Sequence, residues 1–246
     1  MNELRQHLKH HDFTLLVSLP ANSLELAQAA LRGGAQGLKV HVNVEHFASG
    51  TRFGSWSEER ETLAQIVTLA KEHDASVGVV PGASSNGKHQ FATEDEFAQM
   101  AQIGIDYFDA YPADAPAWTL EQKHLDVMLA AYSGGTLDEL RVLEAMGMTL
   151  CEASIMHHNE YGQPLSARDL VRYHALCEGL ECPVIIPSQK KLTHHDIPFL
   201  KKAGAFGVLI GAIVTGRDSA SIEATTRAFA DIIVPPKQTF GFSIID

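Results

Sequence analysis

The stretch GLKVHVNV, residues 37–44, reads as a β-strand with two unlike faces. Side chains alternate along a strand, so Leu38, Val40 and Val42 share one side and Lys39, His41 and Asn43 the other. The aliphatic side must pack on helices, which turns a lysine, an imidazole and an amide toward whatever the sheet encloses. Outward from this segment, the same kind of run recurs as TLLVSL from Thr14, SVGVVPG from Ser76, DYFDAY from Asp106 and LDVMLAAY from Leu125. TLCEASIM from Thr149, PVIIPSQ from Pro183 and FGVLIGA from Phe206 complete the set. Amphipathic stretches of helical length separate these runs, the pattern of parallel strands joined by crossover helices. Eight such pairs in 246 residues predict an α/β protein, a single (β/α)8 TIM barrel spanning residues 1–246. Residues 1–12 are expected to form a short helix closing the bottom of the barrel.

Local chemistry supports these boundaries. Asn22 with Glu25, Ser55 with Glu58, Thr136 with Glu139 and Ser166 with Asp169 pair an N-cap acceptor with an acid at N3. Gly34, Gly104, Gly147, Gly179 and Gly204 stand just before strands, where they predict left-handed helix ends. No linker or repeat divides the chain. The tail from Pro235, PPKQTFGFSIID, is apolar enough to pack, either on its own chain or on a second subunit of a homo-oligomer.

A hydrophobic share of 45% supplies a large core, and a formal net charge of -11 repels polyanions and anionic lipid surfaces. Nucleic acid and membrane are therefore not expected partners, whereas a small phosphorylated metabolite can still bind through local amides and cations. Cys151, Cys177 and Cys182 are odd in number and lack CxxC spacing, and the N-terminus MNELRQHLKHHD is polar. These features lead us to expect a cytoplasmic protein.

The long polar loops EHFASGTRFGSWS (45–57), SSNGKHQFA (84–92) and HHNEYGQPLS (157–166) follow strands two, three and six. In this architecture the loops after strands build the active site, so all three are lid candidates. Lys39 is the sharpest candidate within the barrel, because a buried lysine is paired or used. In strand six, alternation gives Leu150, Glu152, Ser154 and Met156 one face, so Glu152 can meet Lys39 as acid and base, or merely bridge to it. Asp109 on strand four is a third interior candidate, and His41 and Asn43 are placed to polarise or orient a substrate. Strand seven ends in PSQKK, offering Ser188, Gln189 and Lys190 or Lys191 to an anion; after strand eight, Gly211 and Gly216 allow backbone amides to approach a phosphate. His41, Glu152 and His157 form a conceivable divalent-metal set, but no HExxH-like spacing supports it, and no cofactor is expected.

VLIGAIVTG (208–216), the preceding KKAGAFG (201–207) and the strand-two cation resemble the ribulose-phosphate-binding group of barrels, most nearly the N-acylglucosamine-6-phosphate 2-epimerases. That resemblance covers about the last 45 residues. It implies that Gly211, Ala212 and Thr215 contact a sugar phosphate and that Lys39 takes the place of a strand-two cation. The epimerases carry a strand-three lysine where this chain has VGVVPG, and a Glu-Gly pair where it has Ser188 and Gln189. The expectation is thus an enzyme acting on a small phosphorylated sugar or sugar acid by proton transfer next to a carbonyl, of isomerase or epimerase type. The alternatives are a carbon-carbon lyase using Lys39 as a Schiff base, and a phosphate-binding barrel without chemistry.

Overall fold

Eight short parallel strands close on themselves in chain order: β1 (Thr14–Ser18), β2 (Gly37–His41), β3 (Ser76–Val80), β4 (Tyr107–Ala110), β5 (Asp126–Ala130), β6 (Leu150–Glu152), β7 (Val184–Pro187) and β8 (Gly207–Ile210). The computed structural model describes Leu4 and residues 13–85 and 88–233. Each strand lies within the run read from the sequence. The helices α1 (Leu24–Arg32), α2 (Trp56–Glu72), α3 (Glu94–Ile103), α4 (Leu137–Ala145), α5 (Ala167–Gly179), α6 (Ile197–Lys202), the single turn α7 (Ala212–Thr215) and α8 (Ser219–Ile233) follow in order. The fold is a (β/α)8 TIM barrel. Among the described residues no helix is long and apolar enough to cross a membrane, and all three cysteines are free.

Strand alternation sorts the core into two shells. Leu38, Val40 and Val42 join the outer shell against the helices, as their spacing predicts. The inner shell is a separate cluster of Leu16, Tyr107, Met128, Leu150, Ile185 and Leu209. Leu4 is helical and belongs to it; the rest of the expected 1–12 helix lies outside the described residues, as does the tail from Pro235. Gly78 is opposite Tyr107 in register, and a Cβ there would run into the phenol ring, so the glycine makes room for an aromatic side chain inside the barrel.

Four expectations need correction. The β4–β5 connection holds only a 3₁₀ turn, Ala117–Leu120, so one of the eight crossovers has no α-helix among the described residues. Ser23, not Asn22, precedes α1; the Asn22 amide instead donates to the His41 carbonyl at 2.7 Å and to Glu59 at 2.9 Å. Gly179 is the last residue of α5 and is followed by an extended Leu180; its missing Cβ leaves space for Leu137. Met156, beyond the end of β6, packs in the outer shell, because the alternation stops where the strand does. The remaining boxes form as expected at Ser55, Thr136 and Ser166, and a fourth is present at Thr93 with Glu96.

Candidate active site

One layer above the inner apolar cluster, the inward positions turn polar. Ser18 pairs in register with Lys39, and Ala130 with Glu152. The Lys39 ammonium donates to Asp109 Oδ2 at 2.7 Å and to Glu152 Oε2 through a short contact, and Ser154 Oγ donates to Glu152 Oε1 at 2.6 Å. Lys39, Asp109 and Glu152 are 6%, 3% and 6% exposed, yet all three border a cavity of about 240 Å³ at the carboxyl ends of the strands. Taking such ions out of water costs several kcal/mol each unless they are paired. Three strands are therefore committed to one electrostatic cluster.

Its members are pushed apart in proton affinity. Burial disfavours the Lys39 ammonium, but the two carboxylates win and raise its pKa above the usual lysine value. Burial also opposes ionisation of Glu152, yet Lys39 and the hydrogen bonds from Asp109, Lys39 and Ser154 hold it at about 2. Asp109 is raised well above the ordinary carboxyl value, first by burial and then by the Glu152 charge. Its Oδ1 is buried without a partner. The cluster is thus an ammonium held charged, a carboxylate held charged and, at Asp109, a carboxyl group that binds its proton more tightly than an ordinary aspartate.

His41 follows Lys39 on the inward face of β2 and borders the same cavity. Asn43 does not: at φ 58° it leaves the strand, donates to the Pro81 carbonyl at 3.2 Å and accepts from Gln90 at 2.7 Å, tying together two hairpins. Those hairpins, Glu45–His46 with Thr51–Arg52 and Gly82–Ser85 with Lys88–Phe91, are the loops expected after strands two and three. Phe47 from the first stacks on His158 from the β6 loop, with ring centroids 4.8 Å apart and planes 16° apart, and meets Tyr161 edge-on. Strands β2 and β6 are opposite in the barrel order, so these rings reach across its mouth.

On the β7–β8 side, Ser188, Gln189, Gly211 and Ala212 border the cavity. Gly211 N–H donates to Ser188 Oγ at 2.8 Å. The Gln189 amide is spent on the Met156 N–H and the Tyr161 hydroxyl, at 3.0 and 2.7 Å. Three further candidate phosphate residues lie elsewhere. Lys190 is buried against Asp169 at 3.2 Å, because α5 presents a carboxylate beneath the loop. Thr215 is buried with its hydroxyl donating to the Gly216 carbonyl, and Gly216 terminates α7; neither borders the cavity. His157 bonds to Asn159 on an exposed loop, so it does not converge with His41 and Glu152, and no group of three or more metal-ligating side chains is found among the described residues.

Ser18, Tyr111 and Tyr161 also line the cavity but were not singled out by the sequence reading. The signal for two of them was there: Ser18 stands two residues after inward Leu16, and Tyr111 two after inward Asp109. Tyr161 is brought in by a loop, which carries no periodicity.

No family model and no curated protein matches the chain. Similar solved structures include tryptophan synthase from M. tuberculosis, with a TM-score of 0.69, 14% identity, and coverage of 95% of this chain and 99% of that one. Thiamine phosphate pyrophosphorylase from Pyrococcus furiosus has a TM-score of 0.65 at 17% identity, covering 91% and 96%. A native KDPGal structure has a TM-score of 0.60 at 15% identity, covering 89% and 93%. At these identities the likeness is one of fold.

Proposed function

We propose that this barrel is an enzyme that moves a proton next to a carbonyl in a small phosphorylated sugar or sugar acid, as an isomerase or epimerase does. The observation that carries the reading is the Lys39–Asp109–Glu152 cluster bordering the cavity, because its raised carboxyl and fixed cation are what such a step needs. Ionised Asp109 takes the proton from carbon, and the Lys39 ammonium faces the oxygen that gains charge. Glu152 stays ionised and holds Lys39 in place. These roles differ from the base-and-acid pairing of Lys39 with Glu152 expected from sequence, since a lysine held between two carboxylates keeps its proton.

Lys39 is the one lysine or arginine bordering the cavity among the described residues, against Glu45, Asp109, Asp114 and Glu152. A phosphate would therefore be held by neutral donors, the Ser188 hydroxyl and the first amides of α7 at Ala212 and Ile213. The Schiff-base lyase reading has less support, because its nucleophile is a neutral amine. In heavy water, incubation with a pool of phosphosugars is expected to place deuterium beside the carbonyl, read by mass spectrometry, and Lys39→Met to abolish the uptake. Binding of the same sugars with no exchange by the wild type would instead leave a ligand-binding barrel.

A further inference from the structure

His41 is the buried polar side chain at the cavity whose bonding needs are least met. Its ring is 0% exposed, and neither Nδ1 nor Nε2 has a hydrogen-bond partner among the described residues. Everything else about the residue is fixed. Its main-chain N–H donates to Asn22 Oδ1 at 3.2 Å, and its carbonyl accepts from Asn22 Nδ2 at 2.7 Å. Phe53 stacks on the ring with centroids 4.6 Å apart and planes 25° apart, and His46 lies at 4.6 Å, tilted by 45°. A phenylalanine would fill that aromatic slot without burying an unmade donor and acceptor, so packing alone does not account for an imidazole.

We propose that His41 is a catalytic residue, a neutral imidazole whose N–H donates to the substrate oxygen that becomes negatively charged during proton transfer. This rests on the reading of the cavity as a proton-transfer site and adds a second donor beside Lys39. In the step, the carbon–hydrogen bond next to the carbonyl breaks and its proton passes to ionised Asp109. The freed pair forms a carbon–carbon double bond, and the carbonyl pair moves onto oxygen as an enolate, shared by the Lys39 ammonium and the His41 N–H. A donor already fixed by Asn22 and Phe53 needs no reorganisation as that charge develops. Burial, reinforced by His46 from the hairpin and Lys39 from β2, keeps the ring neutral. Asp109 and Glu152 border the same cavity and are already engaged with the Lys39 ammonium.

The test compares wild type, His41→Phe and His41→Gln for melting temperature and for deuterium uptake per folded molecule. His41→Phe is expected to melt at or above the wild-type temperature and to lose about 100-fold or more in uptake. His41→Gln, which still carries an N–H donor, should retain an intermediate rate. Imidazole ¹⁵N resonances should report a neutral ring in the free protein and shift when phosphoglycolate, whose carboxylate mimics the enolate, is added. An active His41→Phe variant, or phosphoglycolate binding that leaves those resonances unmoved, would overturn the proposal. A wild type that exchanges no deuterium would instead overturn the proton-transfer reading, before any variant is made.

Discussion

Lys39 and Lys190 are both buried lysines bound to carboxylates, but their surroundings differ in one respect. Around Lys190, the Asp169 carboxylate accepts from the Ser166 N–H at 3.0 Å, the Ser166 hydroxyl at 2.8 Å and the ammonium at 3.2 Å, with Glu160 and Arg172 beyond. Among the described residues the charged atoms of that cluster are all partnered, and the one buried polar atom beside it without a partner is the neutral Tyr173 hydroxyl. Around Lys39, Asp109 Oδ1 and both nitrogens of nearby His41 lack one, and a cavity adjoins them. Burial of a lysine thus marks a place where the chain invests in charge. The difference lies in which groups go unpaired: beside Lys39 they are a carboxylate oxygen and an imidazole bordering one cavity, and beside Lys190 a single neutral phenol.

Two methionine substitutions test this contrast most strongly. Lys39→Met should lower turnover by at least about 1,000-fold, because the cation facing the developing charge is gone. Lys190→Met should leave turnover per folded molecule within a few-fold, while lowering stability by up to about 3 kcal/mol, because Asp169 loses its nearest cation and keeps Ser166 and the more distant Arg172. Chemical denaturation and exchange kinetics on both variants would decide the matter. Loss of turnover in a fully folded Lys190→Met protein would erase the distinction.

Within the inner cluster, the two carboxyl groups should also part company. Asp109→Asn removes the base while burying one charge fewer, so stability should hold while turnover falls by about 100- to 10,000-fold. In Glu152→Gln, Asp109 becomes the sole counter-ion of Lys39 and loses the neighbouring charge that helps raise its pKa. The acid limb of the pH–rate profile should then move to lower pH. An unmoved limb would show that Asp109 is not the titrating group.

Much of this was legible in the chain. Eight apolar runs located eight strands, and GLKVHVNV alone turned Lys39 and His41 inward, since Leu38 and Val40 had one place to go. Asp109 could not be assigned from DYFDAY, which carries an aspartate and an aromatic residue on each side; its inward direction follows from Tyr107 filling the space left by Gly78. Asn43 and Met156 went astray for one reason: alternation was extended past the end of a strand. Lys190 was misplaced because its partner, Asp169, comes from the start of a helix some twenty residues earlier, a relation that local spacing does not carry.

Proton linkage sharpens the comparison on the stability axis. His41 is held well below 6.5, and His46 at about 4, chiefly by burial. An unfolded chain binds protons at these rings below pH 6.5 and the folded chain refuses them, so each contributes a loss of stability as pH falls, absent above pH 6.5. The slope is about 1.4 kcal/mol per pH unit for each ring. Asp109 acts in the opposite direction, because the folded protein holds its proton more tightly than the unfolded chain. Denaturation at pH 7.5 and 5.5 should therefore show wild type losing ground to His41→Phe by about 1.4 kcal/mol. Parallel losses in the two proteins would mean that the ring finds a partner and titrates normally.

The smallest effect is expected at the mouth, where Phe47 is 68% exposed and still stacks on His158. An exposed aromatic pair contributes about 0.5–1.5 kcal/mol, which corresponds to roughly two- to tenfold. Phe47 touches neither Lys39 nor its carboxylates among the contacts that fix the cluster, so Phe47→Ala should change KM by that factor and leave kcat nearly intact. His158→Ala should do the same, and the double variant should be no worse than either single one, because each removes the same stack. Additive losses would mean that the two rings contact the substrate separately. A fall in kcat would mean that the bridge across the barrel sets the geometry of the floor as well as access to it.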